Sequence, residues 1–228
     1  MRFFPIAAIC AVAAISVAAT DEPHANWTAT VSVAESGTHT LGNPEAAVKV
    51  TEYVSYTCPH CADFQIESEA PLRLAYVQPG TVSLEVHHLL RDPVDLAAAL
   101  LTNCGEPEGF FRRHNDFLGS QEQWLPKIQS ASTQQRQRWS EGPVPQRMRA
   151  IAADFDFYSI MEARGFSRTR TNECLADEAT MKKLLDQTQS AIESGVQGTP
   201  SFAMNGVVLE GTHTWQGLNQ AIDAEIKD

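Results

Sequence analysis

Cys58-Pro59-His60-Cys61 sets two thiols at the ends of a four-residue stretch, with proline directly after the first. Such a pair can close into a disulfide or open one by exchange, and the attacking species is the thiolate. The run before it, Val48-Lys-Val-Thr-Glu-Tyr-Val54, is apolar and β-branched, as in a strand that buries its faces. Pro59 suits the first turn of a helix, where its missing N–H costs nothing. Cys58 is therefore predicted to stand where a strand ends and a helix begins. The free N–H groups and positive dipole end there favour a thiolate. His60 lies between the cysteines and can stabilise that thiolate through its N–H or its charge. Glu52, six positions before Cys58, is either a partly buried acid that moves protons to and from Cys61 or a strand-edge acid facing water.

The chain has 228 residues, room for one domain with an insertion or for two small ones. Lys and Arg number 17 against 28 Asp and Glu, a net charge of −11, which argues against a nucleic-acid partner. The histidines outside the motif (His24, His39, His87, His88, His114 and His213) follow no metal-ligand spacing, so neither metal nor cofactor is expected. Met1-Arg2, the apolar run to Val17 and the small residues Val17-Ala18-Ala19 form an export signal, with cleavage expected after Ala19. Cys10 leaves with it. Cys58, Cys61, Cys104 and Cys174 remain, an even set suited to an oxidising compartment.

Residues 20–42 are polar and weakly patterned and are predicted to form a flexible arm, with at most a short strand at Thr28–Val33. Val48–Val54 and the alternating Thr81–Leu90 read as strands flanking a helix that Pro71 kinks or breaks. A βαβ unit of this kind makes its strands parallel. Asp92-Pro93 caps a helix stopped by Gly105, and a second helix runs from Phe110 to Gly119. Ser130–Pro145 has no apolar period and is predicted to be a surface loop. Helices follow at about Gln146–Arg164, Thr171–Ala176 and Met181–Ile192. Asn205-Gly206 marks a hairpin between Ser201–Met204 and Val207–Glu210, and a last helix starts near Trp215.

This order, βαβ, a helical block, then αββα, resembles the thioredoxin fold with a helical domain inserted in it. The Cys58-Pro59-His60-Cys61 motif, the strand bearing Glu52, the Gly198-Thr199-Pro200 loop and the closing ββα resemble the DsbA-type thiol–disulfide oxidoreductases of the bacterial periplasm. The resemblance covers roughly Leu41 to the C-terminus. It implies an α/β, thioredoxin-like fold: 1–19 signal peptide, 20–42 arm, 43–91 and 180–228 thioredoxin-like domain, 92–179 helical insertion. It implies Cys58 as nucleophile and Cys61 as its partner, with His60 and Glu52 assisting. Thr199 and Pro200 would form a cis-proline loop that meets substrate, and the Thr199 hydroxyl could reach the Cys58 sulfur. Cys104 and Cys174 are predicted to form a structural disulfide in the insertion; two buried, unbridged thiols are the alternative. The implied activity is oxidation of cysteine pairs in unfolded or partly folded exported proteins. A monomer in the periplasm, reoxidised by a DsbB-like membrane oxidase, would carry it out. Thr199 is more typical of related isomerases, so an isomerase or reductase kept reduced is the alternative. A zinc-binding or non-catalytic chaperone module is the alternative of another class.

Overall fold

The computed structural model describes residues 25–227. The export signal lies outside the described residues. Six strands form one sheet: β1 (Val31–Val33), β2 (His39–Gly42), β3 (Val48–Val54), β4 (Val82–His88), β5 (Ser201–Met204) and β6 (Val207–Val208), in the order β1-β2-β4-β3-β5-β6. The predicted βαβ unit is present, with β3 and β4 parallel and Glu52 opposite Val86. On its other side β3 pairs antiparallel with β5, which sets Glu52 opposite Phe202. Asn205 and Gly206 take φ of 50° and 83° and turn β5 into β6. Positive φ at both central residues matches the twist of the flanking strands.

Helix α1 (Pro59–Leu72) follows β3 and passes through Pro71, then widens into a five-residue π-helical segment, Arg73–Val77. A proline inside a helix removes a backbone donor, and a wider turn is one way to absorb the loss. Between β4 and the long helix near the C-terminal end lie eight α-helices among the described residues. They are α2 (Pro93–Thr102), α3 (Phe110–Gly119), α4 (Gln121–Trp124), α5 (Lys127–Ser130), α6 (Thr133–Ser140), α7 (Val144–Asp154), α8 (Phe157–Glu162) and α9 (Arg168–Cys174). Helices α10 (Glu178–Glu193) and α11 (Trp215–Glu225) complete the chain. One apolar core runs without a break from Val48, Val50 and Val54 through Tyr56 into Phe110, Phe117, Trp124 and Phe157 of the helical block. Across the sheet a smaller cluster joins Tyr53, Leu89 and Ala203 to Ala191 of α10 and to Val196.

Three expectations are corrected. Within 20–42, predicted as a flexible arm, β1 falls inside the short strand expected at Thr28–Val33, but β2 departs from the expectation: it pairs with β4, and His39 is buried and stacked on Phe110 at 3.9 Å. Its polar residues hide a strand that only its partner makes stable. The predicted loop Ser130–Pro145 contains α6, which opens on a capping box between Ser132 and Gln135. That helix buries Trp139, whose indole N–H donates to Asp154 at 2.7 Å. One buried tryptophan anchors the helix without producing an apolar period. The predicted single helix 146–164 is two, α7 and α8, broken where Asp156 takes φ of 60°.

Cys104 and Cys174, 70 positions apart in sequence, are joined in a disulfide with Cα atoms 5.6 Å apart. It ties the segment just after α2 to the end of α9. Replacing both by alanine is expected to lower stability by about 2–4 kcal/mol, because the bridge restricts the unfolded chain over a long loop. Urea unfolding of the double variant and parent, with Cys58 and Cys61 held reduced in both, measures the difference.

Candidate active site

β3 ends one residue before Ser55, and the turn Ser55–Thr57 delivers Cys58 to the N-cap position of α1, with Pro59 in the first turn as predicted. The Cys61 N–H donates to the Cys58 carbonyl at 3.1 Å. Both cysteines are free thiols and both are buried, Cys58 at 3% exposure and Cys61 at 0%.

Their environments push the two sulfurs apart. The Cys58 thiol is lowered from 9.0 to about 5, chiefly because the Cys61 thiol hydrogen-bonds to its sulfur. Burial opposes this, and the Thr199 hydroxyl, the Cys61 N–H and the charge of Arg91 add to the lowering. Thr199 acts in both directions. Its hydroxyl can donate to a thiolate, whereas its carbonyl oxygen, 3.1 Å from the Cys58 sulfur, can only accept from a thiol. Burial raises the Cys61 thiol well above its ordinary range, and its hydrogen bond to Cys58 and the charge there raise it further. The pair holds one proton, on Cys61, and leaves the charge on Cys58.

Glu52 is in phase with Val48, Val50 and Val54 on the buried face of β3, and it is wholly buried. Neither carboxylate oxygen has a hydrogen-bond partner among the described residues. Burial alone lifts its carboxyl from 4.5 to about 8, so at neutral pH it carries a proton. Its charge, when present, is felt at the Cys61 sulfur. Glu52→Gln keeps the shape and removes the exchangeable proton. If Glu52 moves protons for Cys61, exchange slows by roughly a hundredfold, the low end of general acid–base contributions. Between pH 4.5 and 8 a folded Glu52 holds a proton that the unfolded chain has released, so the Glu52 contribution to stability falls as pH rises through that window. The glutamine variant lacks this slope. Stopped-flow exchange rates and urea midpoints across the window test both effects.

His60 is not among the groups that lower the Cys58 thiol. Its side chain is 81% exposed, and its Nδ1 lies 3.7 Å from Asp63. The thiolate is stabilised by Cys61, Thr199 and Arg91, and the expected role of His60 has no contact to rest on. The Thr199–Pro200 peptide is cis and its loop lies against Cys58, as the resemblance implied.

Two residues that the sequence reading missed hold the turn. Asp95, wholly buried near the start of α2, accepts from the Ser55 hydroxyl at 2.6 Å and from the backbone N–H groups of Tyr56 at 2.7 Å and Arg91 at 3.0 Å. Burial raises its carboxyl to about 7 against the pull of these bonds. The buried Gln121 side-chain amide donates to the carbonyls of Tyr56 at 2.7 Å and Cys58 at 2.9 Å. An acid on a face shared with Ala98, Ala99 and Thr102 was the available signal for Asp95; Gln121 had none. Nearby, the Tyr56 hydroxyl meets His114 Nδ1 at 2.9 Å, and His114 Nε2 meets the Gln65 carbonyl oxygen at 3.1 Å. That carbonyl only accepts, so Nε2 carries the proton and Nδ1 accepts from tyrosine. Burial keeps this imidazole neutral, its pKa lowered to about 3.

A strand-to-helix cysteine pair facing a cis-proline loop can be compared with known proteins. The thioredoxin family profile matches residues 34–224, most of the chain. The chain belongs to the thioredoxin family. Among solved structures, a thioredoxin-family relative described as a protein-disulfide isomerase from Novosphingobium aromaticivorans is 47% identical. The match has a TM-score of 0.81 and covers 84% of this chain and 98% of that one. The alpha-DsbA1 of Wolbachia pipientis, 23% identical with a TM-score of 0.63, covers 82% of this chain and 90% of its own and shares the fold. A Rickettsia typhi protein named a protein-disulfide oxidoreductase is 27% identical over 190 residues, 82% of this chain. The chain spans 62% of the length of that relative. The predicted thioredoxin-like fold with helices inserted between β4 and α10 is thus that of the DsbA-type members.

Proposed function

We propose that this chain catalyses thiol–disulfide exchange through Cys58 and Cys61, oxidising cysteine pairs in exported proteins. The observation that carries the reading is the free Cys58 thiol at the N-cap of α1, three residues before the free Cys61 thiol, with its sulfur 3.1 Å from the carbonyl of the cis Thr199–Pro200 peptide; the lowering of the Cys58 thiol supports it. A substrate thiolate attacks the Cys58 sulfur of the Cys58–Cys61 disulfide. The S–S bond breaks and Cys61 leaves with the electron pair, taking up a proton, for which the buried Glu52, whose charge is felt at Cys61, is the proposed donor. The second substrate thiolate then attacks the substrate sulfur of the mixed disulfide and releases Cys58 as thiolate. The substrate loses two electrons and the cysteine pair gains them. A good leaving thiolate at Cys58 drives this step forward. Cys104–Cys174 plays no part in the cycle.

The export signal read at residues 1–19 supports a periplasmic site of action. Reoxidation requires an electron acceptor, and a membrane oxidase of the DsbB kind is the partner proposed. A second reading, an isomerase or reductase kept reduced, is favoured by the name of the 47% identical relative. Equilibrating the pair with glutathione separates the two. An oxidising potential, with Cys58 and Cys61 found bridged in growing cells, supports the oxidase; a pair held reduced in cells supports the alternative.

A further inference from the structure

Beside Cys58 runs a groove of about 590 Å³ between α1 and the loop bearing Pro200. Phe64, Thr199 and Pro200 line it, and His213 with Thr214 forms its far wall. His213 Nδ1 donates to the Pro200 carbonyl at 2.8 Å, so that wall is tied to the loop and the groove is formed in advance. Asp63 and Glu67, one helical turn apart on α1, line the other wall, and both are exposed. Among the described residues no lysine or arginine lines the groove. His60 lies near Asp63, and among the described residues no cation pairs with Glu67. The groove therefore joins an apolar floor to a negative wall, and it shares Thr199 with the reactive sulfur.

We propose that Asp63 and Glu67 on the wall of this groove make the protein select substrate segments that carry lysine or arginine beside the reacting cysteine. The proposal rests on the exchange reading of Cys58 and names its substrate class. A substrate sulfur attacking Cys58 brings its chain neighbours past Thr199, since each extended residue advances about 3.3 Å. An aliphatic stem lies on the Phe64 and Pro200 surface while its charged end reaches a carboxylate. Exposed charges of this sort act mainly on encounter rates and weaken with salt.

The test uses the full oxidised chain and short single-cysteine peptides that differ only in lysine or glutamate two residues from the cysteine. Formation of the mixed disulfide is timed by acid quench and mass measurement. A lysine also makes a neighbouring thiol more acidic, so the quantity read is the lysine-to-glutamate rate ratio in the parent against that in Asp63→Asn/Glu67→Gln. Both positions are on the surface, and circular dichroism checks the fold of the variant. At low ionic strength the ratio is expected to be about fivefold higher in the parent, on the scale of modest electrostatic steering, and to shrink with added salt. Equal ratios in parent and variant overturn the proposal while leaving exchange intact. Failure of every peptide to react overturns the exchange reading itself.

Discussion

Replacing Cys58 by serine is expected to remove thiol–disulfide exchange, with a fall of at least about a thousandfold, the scale on which enzymes lose activity with their nucleophile. The reaction passes a bond between sulfurs, and a serine hydroxyl is neither acidic enough nor able to close the S–S bond. The corresponding change at Cys61 has a different signature. Cys58 remains a stabilised nucleophile and attacks a substrate disulfide, but nothing within the site releases the product. Cys61→Ser is therefore expected to accumulate mixed disulfides that survive acid quench, whereas Cys58→Ser accumulates none. Because the Cys61 thiol is the largest contributor to lowering Cys58, the same variant also reports on that hydrogen bond. Serine can still donate there, so Cys58 stays acidic in Cys61→Ser and moves towards ordinary values in Cys61→Ala. Following the thiolate absorbance at 240 nm in the two variants measures this. Retained exchange in Cys58→Ser would end the proposed mechanism.

The second large effect is a dependence of stability on redox state that changes with pH. In the reduced protein Cys58 ionises at about 5 when folded and near 9.0 when unfolded. Between those values the unfolded chain holds a proton that the native state has released, so the stability contribution grows as pH rises. It is fully present above 9 and gone below 5. The oxidised protein has no thiol at this position and lacks the term. Most other shifted groups, including Glu52, Asp95 and His114, are common to both forms and cancel in the difference. The stability of the reduced form relative to the oxidised form is thus expected to rise by about 1.4 kcal/mol per pH unit between pH 5 and 9, about 5 kcal/mol in all. Urea midpoints of both forms at pH 5, 6, 7 and 8 give this slope. Parallel curves would mean that the sulfur is an ordinary one and that the disulfide has no special tendency to pass to another protein. By linkage, the same slope makes the disulfide more oxidising as pH rises within this window, so the glutathione equilibrium checks the result independently.

The position of the helix-tip cysteine, the parallel β3–β4 pair, the hairpin at Asn205-Gly206 and the cap at Asp92 follow from neighbours in the chain: alternation, a proline in the first helical turn, two residues suited to positive φ, an acid before a helix. These signals are local because the backbone responds to residues within a few positions. The burial of Glu52 stayed open in the sequence, because an acid in phase with Val48, Val50 and Val54 could also face water at a strand edge, and the packing around β3 decided it. Other parts of the site are not local. Asp95 reaches Ser55 across 40 residues, and Gln121 reaches the Tyr56 carbonyl across 65. Their side chains meet the turn only after α2 and α4 have packed into place, and nothing in their own neighbourhoods encodes that meeting. His60 shows the converse: its place between two cysteines suggested contact with the thiolate, but its orientation on the first turn of α1 carries the ring outward. Strand β2 and helix α6 needed their partners, β4 and the pocket around Trp139, before their polar sequences had a reason to order. Sequence pattern determined which atoms could do the chemistry and which elements carry them. Tertiary packing decided which groups surround the sulfur, because hydrogen bonding and desolvation depend on distances that only the folded chain sets.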